Sequence, residues 1–299
     1  MNYQQGIAAL LAAGAIGIAS AAVVTSPVGI YTNAGGSNAG DPPAQDVWLR
    51  TNVRNGGAVG ISNNYPRNGT GSVYLSLGAN TGNNGKADWE FYPATTFGRL
   101  ADLGSLNYDW YRDAASTAPN HLHPVLRLMI DADGNPATTN DRGYLVFERC
   151  YNVASCPAVP TNAWTSESIT GSTNLWWTQF GVGTETVFNR NLNTYKAGSY
   201  TPTSGFAQIG PNSVILGVSM GIGSGWNTGA AAPAFNGAID NLTITTTTQG
   251  ATSLTNTNFE LVRVADAPAV VPTLSASLLV ALAATLGLVG GWRRRRGNR

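Results

Sequence analysis

Charge is scarce in this chain. Asp, Glu, Lys and Arg make up 11% of its 299 residues, less than half the usual share. Lysine is reduced to Lys86 and Lys196, cysteine to Cys150 and Cys156, and histidine to His121 and His123. So few cations leave no basic surface to neutralise phosphates, which excludes a general nucleic-acid binder. No His-Glu-x-x-His, P-loop or clustered Cys/His motif is present either, so the usual signatures of zinc hydrolysis and nucleotide chemistry are missing. Long segments with a 3.6-residue apolar period are absent between the two ends, which argues against a helical enzyme.

The formal net charge of +1 hides an uneven distribution. Arg293, Arg294, Arg295, Arg296 and Arg299 close the chain. Removing these five from the 17 basic residues leaves 12 against 16 acids, a net charge of −4 for everything upstream. What is abundant is Gly, at 36 residues, together with Asn, Thr and Ser between short apolar runs. That is the composition of an exported β protein with many turns.

Both ends read as targeting segments. From Ile7 to Val24 the chain is uncharged and rich in Ala and Leu, and Ala19-Ser20-Ala21 is a small-residue cleavage pattern. Residues 1–21 are therefore expected to be a signal helix, engaging a Sec-type export machinery. Residues 263–271 read as a linker to a C-terminal tail, 272–299. An apolar helix from Leu274 to Trp292 would be about 28 Å long, enough to cross a hydrocarbon core of ~30 Å. Arg293, Arg294, Arg295 and Arg296 would stay on the cytoplasmic side as the topogenic signal, placing the preceding residues outside.

The order Val271-Pro272-Thr273-Leu274-Ser275, apolar helix, arginine cluster resembles the IPTL-CTERM sorting tail of Gram-negative bacteria. It departs from that pattern in having Ala276-Ser277, where such tails often carry a Trp soon after the Ser. The resemblance covers only the last thirty residues or so. It implies export, transient anchoring in the inner membrane, processing by an exosortase-like membrane enzyme near Pro272-Thr273, and a final place at the cell surface or outside the cell. It leaves the function of the attached domain open.

Between residues 28 and 262 the apolar period is two, broken by turn residues. Strands are predicted at Val47–Val53, Ser72–Leu77, Ala87–Tyr92, Ser105–Arg112, Val125–Ile130, Tyr144–Cys150, Trp164–Ile169, Leu175–Phe180, Val214–Ile222, Ala238–Thr245 and Ser253–Leu261. Asn55-Gly56-Gly57, Asn83-Asn84-Gly85 and Asp133-Gly134 supply tight turns. A short helix is allowed at most around Tyr195–Gln208. The fold class that follows is all-β, an antiparallel β-sandwich of jelly-roll type flanked by a signal helix and a transmembrane helix. Segments such as "LGSLNYDWYRD", "PVLRLMIDADGN", "GYLVFERCYN" and "FNGAIDNLTI" are also similar to concanavalin-like and carbohydrate-binding jelly-roll modules. That likeness implies a sugar or surface-polymer ligand.

The candidate sites follow from residue type. Cys150 and Cys156 sit close together in an exported chain and are expected to form a disulfide. Asp131, Asp133, Asn135 and Asp141 have the look of a calcium loop. Pro136 and Arg142 stand where an EF-hand needs Gly and Glu, so only a looser site could form, and a plain hairpin turn is the preferred reading. Asp240 and Glu260 form a second calcium idea, because similar positions in carbohydrate-binding sandwiches hold a structural ion. His121 and His123 lack a third metal ligand and are expected at the surface or in a loop.

Among the aromatics, Tyr111, Trp164, Trp176, Trp177 and Trp226 are candidates for stacking on a sugar. Trp176 and Trp177 are neighbours, so in a strand only one faces out. That one, with Trp226 in its glycine-rich loop, is the preferred ligand contact. Glycoside hydrolysis needs two facing carboxylates, and the spacing of Glu90, Asp109, Glu148 and Glu167 pairs none of them. A non-catalytic adhesion or matrix protein that binds polysaccharide is thus the leading reading. A jelly-roll hydrolase or lyase, and a purely structural surface protein, are the alternatives.

Overall fold

The computed structural model describes residues 45–78, 84–226 and 234–261, with the backbone of two further strands at 23–26 and 33–34. Its elements begin with β1 (Val23–Ser26), β2 (Asn33–Ala34), β3 (Trp48–Arg54), β4 (Gly57–Ser62), β5 (Ser72–Leu77) and β6 (Lys86–Phe91). Next come β7 (Leu103–Arg112), β8 (Val125–Asp131), β9 (Arg142–Phe147), β10 (Trp164–Ser168), β11 (Asn174–Gln179), β12 (Gly183–Thr184) and β13 (Arg190–Asn191). A one-turn helix, α1 (Leu192–Ala197), leads to β14 (Val214–Gly223), β15 (Phe235–Thr246) and β16 (Leu254–Leu261). One sheet runs β12-β11-β9-β8-β14-β6-β3-β2 with β13 on β11. The other runs β1-β16-β15-β5-β4 with β7 bridging β15 and β10. Pairing is antiparallel apart from β1 on β16 and β2 on β3. The protein is an all-β, two-sheet sandwich.

Alternation builds the core. On β8, Leu126, Leu128 and Ile130 point between the sheets; on β9, Leu145 and Phe147 do the same. From the facing sheet come Leu75, Trp110, Ile239 and Phe259. Each such side chain removed from water contributes about 1.5–3 kcal/mol. The intervening residues face the other way. Val125 and Met129 of β8 and Tyr144 and Val146 of β9 form a second apolar cluster on the outer face of the larger sheet.

Turn chemistry agrees with the residues that supply it. Asn55 and Gly56 take φ of 46° and 79° and carry the chain from β3 in one sheet to β4 in the other. Two consecutive left-handed residues are what Asn-Gly tolerates best. Helix α1 starts at Asn191, whose side chain accepts from the Thr194 N–H, and stops at Gly198 in the left-handed conformation. It therefore covers Leu192–Ala197, earlier and shorter than the expected 195–208.

Cys150 and Cys156 form a disulfide across a short loop after β9. So small a loop contributes about 2 kcal/mol by the chain-entropy argument. The bond suits an oxidising environment.

β1 lies upstream of residue 28, the expected start of the domain, and pairs with β16. Contacts divide the chain into Met1–Leu261 and Val262–Arg299. The signal segment 1–21, the motif Val271 to Ser275, the apolar helix 274–292 and the arginine cluster lie outside the described residues. Among the described residues, no helix is long and apolar enough to cross a membrane.

Candidate functional site

The outer face of the larger sheet carries a cleft of about 430 Å³. Strand periodicity lines it. β6 sends Lys86, Asp88 and Glu90 outward at every second position, and Arg127 of β8 and Ser219 of β14 lie on the same face. β9 adds Tyr144 and Val146, with Glu148 just beyond its end, and β11 adds Trp176 and Thr178. His121, Tyr151, Thr184 and the Gly223–Trp226 turn complete the rim.

A buried ionic group forms the floor. Asp88 accepts hydrogen bonds from Lys86 Nζ (2.9 Å), Arg127 Nη1 (2.8 Å) and Asn52 Nδ2 (2.9 Å). Burial opposes ionisation of Asp88, but the charges of Lys86 and Arg127 outweigh it and hold the carboxyl below its ordinary value. Arg127 also donates through Nη2 to the Gly223 carbonyl at 3.2 Å, tying the floor to the rim. Beside this group, Glu90 accepts from the hydroxyls of Tyr92 (2.7 Å) and Tyr144 (3.0 Å). Burial, and then the charge of Asp88, push Glu90 upward. Burial also raises Glu148, with Arg127 pulling the other way. Asp88 and Glu90 lie beneath the surface of the cleft, and among the described residues that line it directly Glu148 is the one carboxylate.

The predicted aromatic contacts separate here. Trp176 pairs with Val146 and is half-buried on the cleft wall, while Trp177 pairs with Leu145 and is fully buried between the sheets. Trp226 does not stand free as its glycine-rich neighbours suggested. It is 7% exposed and packs edge-on against Phe235, ring centres 5.1 Å apart, so only its rim reaches the cleft. Tyr111 and Trp164 lie on the other sheet. There Tyr65 stacks on Tyr111 at 4.5 Å, Tyr111 meets Trp164 at 5.7 Å, and Arg67 sits over Trp164.

The histidines also part company. His121 is half-exposed at the cleft mouth, but His123 is buried, not superficial. It stacks on Trp110 at 4.7 Å, and its two ring nitrogens lie 2.8 Å from the Pro124 carbonyl and 3.2 Å from the Arg149 amide. Those partners assign the proton to Nδ1, with Nε2 accepting.

Of the expected calcium residues, Asp131, Asp133 and Asp141 come together, each offering an oxygen within 4.8 Å of the others. Asn135 is exposed and turns its Oδ1 to the Ala137 N–H. Glu260 accepts from the Thr70 amide and hydroxyl and from Asn258 Nδ2. Asp240 is fully buried; its Oδ1 accepts from the amides of Asn241 and Phe259, and its Oδ2 has no partner.

Gly217-Val218-Ser219-Met220-Gly221 has the G-x-S-x-G spacing of a nucleophile elbow. It lies inside β14, with Ser219 fully buried, rather than on a strand-to-helix turn, so it does not present a nucleophile.

No protein-family model and no curated protein matches the chain. Among solved structures it is similar to a cellulose-induced protein, Cip1, at 15% identity and a TM-score of 0.34, over 66% of this chain and 91% of that one. It is similar to an endo-β-1,4-glucuronan lyase from the fungus Trichoderma reesei at 11% identity and a TM-score of 0.34, over 69% and 93%. A carbohydrate esterase from the Shiga toxin-encoding bacteriophage phi24B matches at 14% identity and a TM-score of 0.26, over 64% and 88%. Likenesses this distant carry no function across.

Proposed function

We propose that the chain is an exported surface protein whose sandwich domain binds a polysaccharide in the cleft of its larger sheet, serving adhesion or an extracellular matrix. The observation behind this reading is the half-buried Trp176 on the wall of a polar cleft of about 430 Å³. An indole face complements the apolar C–H face of a pyranose, while Thr178, Thr184, Lys86 and Glu148 offer donors and acceptors for hydroxyls. An apolar ligand would find a charged floor instead. Screening the full chain on a glycan array is expected to give binding that Trp176→Ala weakens about tenfold or more, the scale of an interface hot spot. Trp164→Ala, on the opposite sheet, is expected to leave it unchanged. No glycan bound by the intact chain would leave the purely structural alternative.

A second reading, polysaccharide cleavage, is favoured by one feature. Glu148 is raised by burial at the cleft, which suits a proton-transfer group. Release of reducing or unsaturated ends from a bound glycan, lost in Glu148→Gln, would establish it.

Delivery to the surface rests on the tail, with Sec-type export machinery and an exosortase-like membrane enzyme as partners. Deleting residues 271–299 is expected to move the protein from the membrane fraction to the medium. Unchanged retention would contradict the anchor.

A further inference from the structure

We propose that Asp131, Asp133 and Asp141 hold a divalent cation, calcium in preference to magnesium, which braces the connection between β8 and β9. Two oxygens that share one calcium at about 2.4 Å lie at most about 4.8 Å apart. The three carboxylates present oxygens within 4.8 Å of one another. Two of their six oxygens lack donors. Asp131 is 1% exposed, and its Oδ1 and the Oδ1 of Asp141 are both buried with no hydrogen-bond partner. Leaving such oxygens unmatched is costly, and a cation at their common focus satisfies both.

The rest of the loop holds this arrangement in place. Asp131 Oδ2 accepts from Arg142 Nε at 3.0 Å, and Asp141 Oδ2 accepts from the Asp133 amide at 2.8 Å. Asp133 accepts from the Asn135 amide at 2.7 Å and from the Thr138 hydroxyl at 3.0 Å. Three carboxylates therefore face one guanidinium, a local charge of −2 that a divalent ion cancels.

All the donors are oxygen, which disfavours zinc and copper. They come from a strand end and an irregular loop, with Asp133 exposed to water. That flexible, incomplete shell suits calcium, which tolerates varied geometry, better than magnesium, which demands near-octahedral order. A cation here would secure three segments. Asn140 accepts from Gln179 Nε2 at the end of β11, Ser213 donates to the Ala132 carbonyl, and Gly134 lies against the Asn212 carbonyl. The inference stands independently of the glycan reading.

The test uses the full chain, stripped with chelator and titrated with CaCl₂ or MgCl₂ by calorimetry, with thermal melts alongside. Asp133→Asn and Asp141→Asn are the variants of choice, since Asp131→Asn would also remove the ion pair that Asp131 makes with buried Arg142. The expected result is one equivalent of calcium bound, weakened at least tenfold by either substitution. Magnesium is expected to bind more weakly. The melting temperature is expected to rise about 5–10 °C at hundredfold excess of calcium over its Kd. Correctly folded variants in which calcium binding persists overturn the proposal. So does calcium binding that disappears in Asp240→Asn instead, or no uptake by the unmodified chain at 10 mM.

Discussion

Replacing Asp88 by Asn is expected to lower stability by about 3–5 kcal/mol and the melting temperature by roughly 10 °C, as for other buried ion pairs broken from one side. Asp88 is fully buried and is the shared acceptor for Lys86, Arg127 and Asn52. Without its charge, two cations remain on the floor of the cleft with no counter-ion between them. Lys86 and Arg127 have 13% and 8% of their side chains exposed, too little for water to compensate. The loss belongs to the unmatched charges and not to the worth of the pairs. A triple variant Lys86→Met, Asp88→Leu, Arg127→Met should therefore recover most of it, because apolar groups of similar volume replace buried ion pairs at little cost. Urea denaturation of the three proteins (the unaltered chain, Asp88→Asn and the triple variant) checks both statements. A loss below about 1 kcal/mol for Asp88→Asn, or a triple variant less stable than the single one, would refute the account. The triple variant also removes the polar floor of the cleft, so it is expected to lose glycan binding while it regains stability.

This ionic group marks where a linear reading stops. In Val125-Leu126-Arg127-Leu128-Met129-Ile130 the sequence shows Arg127 as a break in an apolar run, but its partner Asp88 lies 39 residues earlier on β6. Two strands separated by β14 must be placed before the pair exists. What depends on neighbours in the chain was legible. Ser72–Leu77 has the expected bounds, and the alternation of Tyr144 and Val146 against Leu145 and Phe147 divides them between the two clusters. β4 was passed over because Gly57 and Gly60 dilute its pattern. Its strand character comes from pairing, with Val59 opposite Leu75 and Ile61 opposite Val73. Trp226 was misplaced for a related reason. Glycines at 223 and 225 announce a turn, but not that the turn folds an indole back onto Phe235. The Asp-rich loop was legible as residue types. That three of its carboxylates converge while Asn135 turns away depends on the backbone between them.

Two buried groups are expected to give the domain opposing pH dependences that nearly cancel in the unaltered protein. Burial raises Asp240 from its ordinary 3.8 to about 7, with only partial relief from the amides of Asn241 and Phe259 and added push from Glu260 and Asp109. The unfolded chain gives up this proton first, so the stabilisation is complete below about pH 4 and is lost as pH rises through 7. Burial lowers His123 from 6.5 to about 3, against the Pro124 carbonyl and with help from Arg149, Arg112 and His121. Here the unfolded chain takes up the proton first. That contribution is complete above about 6.5 and is lost as pH falls through 3. Each shift of three units or more corresponds to something on the order of 4 kcal/mol across its window.

Asp240→Asn should accordingly gain stability relative to the unaltered chain as pH rises from 4 to 7, and His123→Gln should gain as pH falls over nearly the same range. Urea midpoints measured across that range in EDTA give both difference curves, from which Asp88, Glu90 and the other titrating groups cancel. Two curves of the same sign, or two flat ones, would contradict the assignment. Repeating the scan with calcium decides the second expected cation site. An ion held between Asp240 and Glu260 would keep Asp240 ionised in the folded state, and the advantage of Asp240→Asn near pH 7 would then vanish.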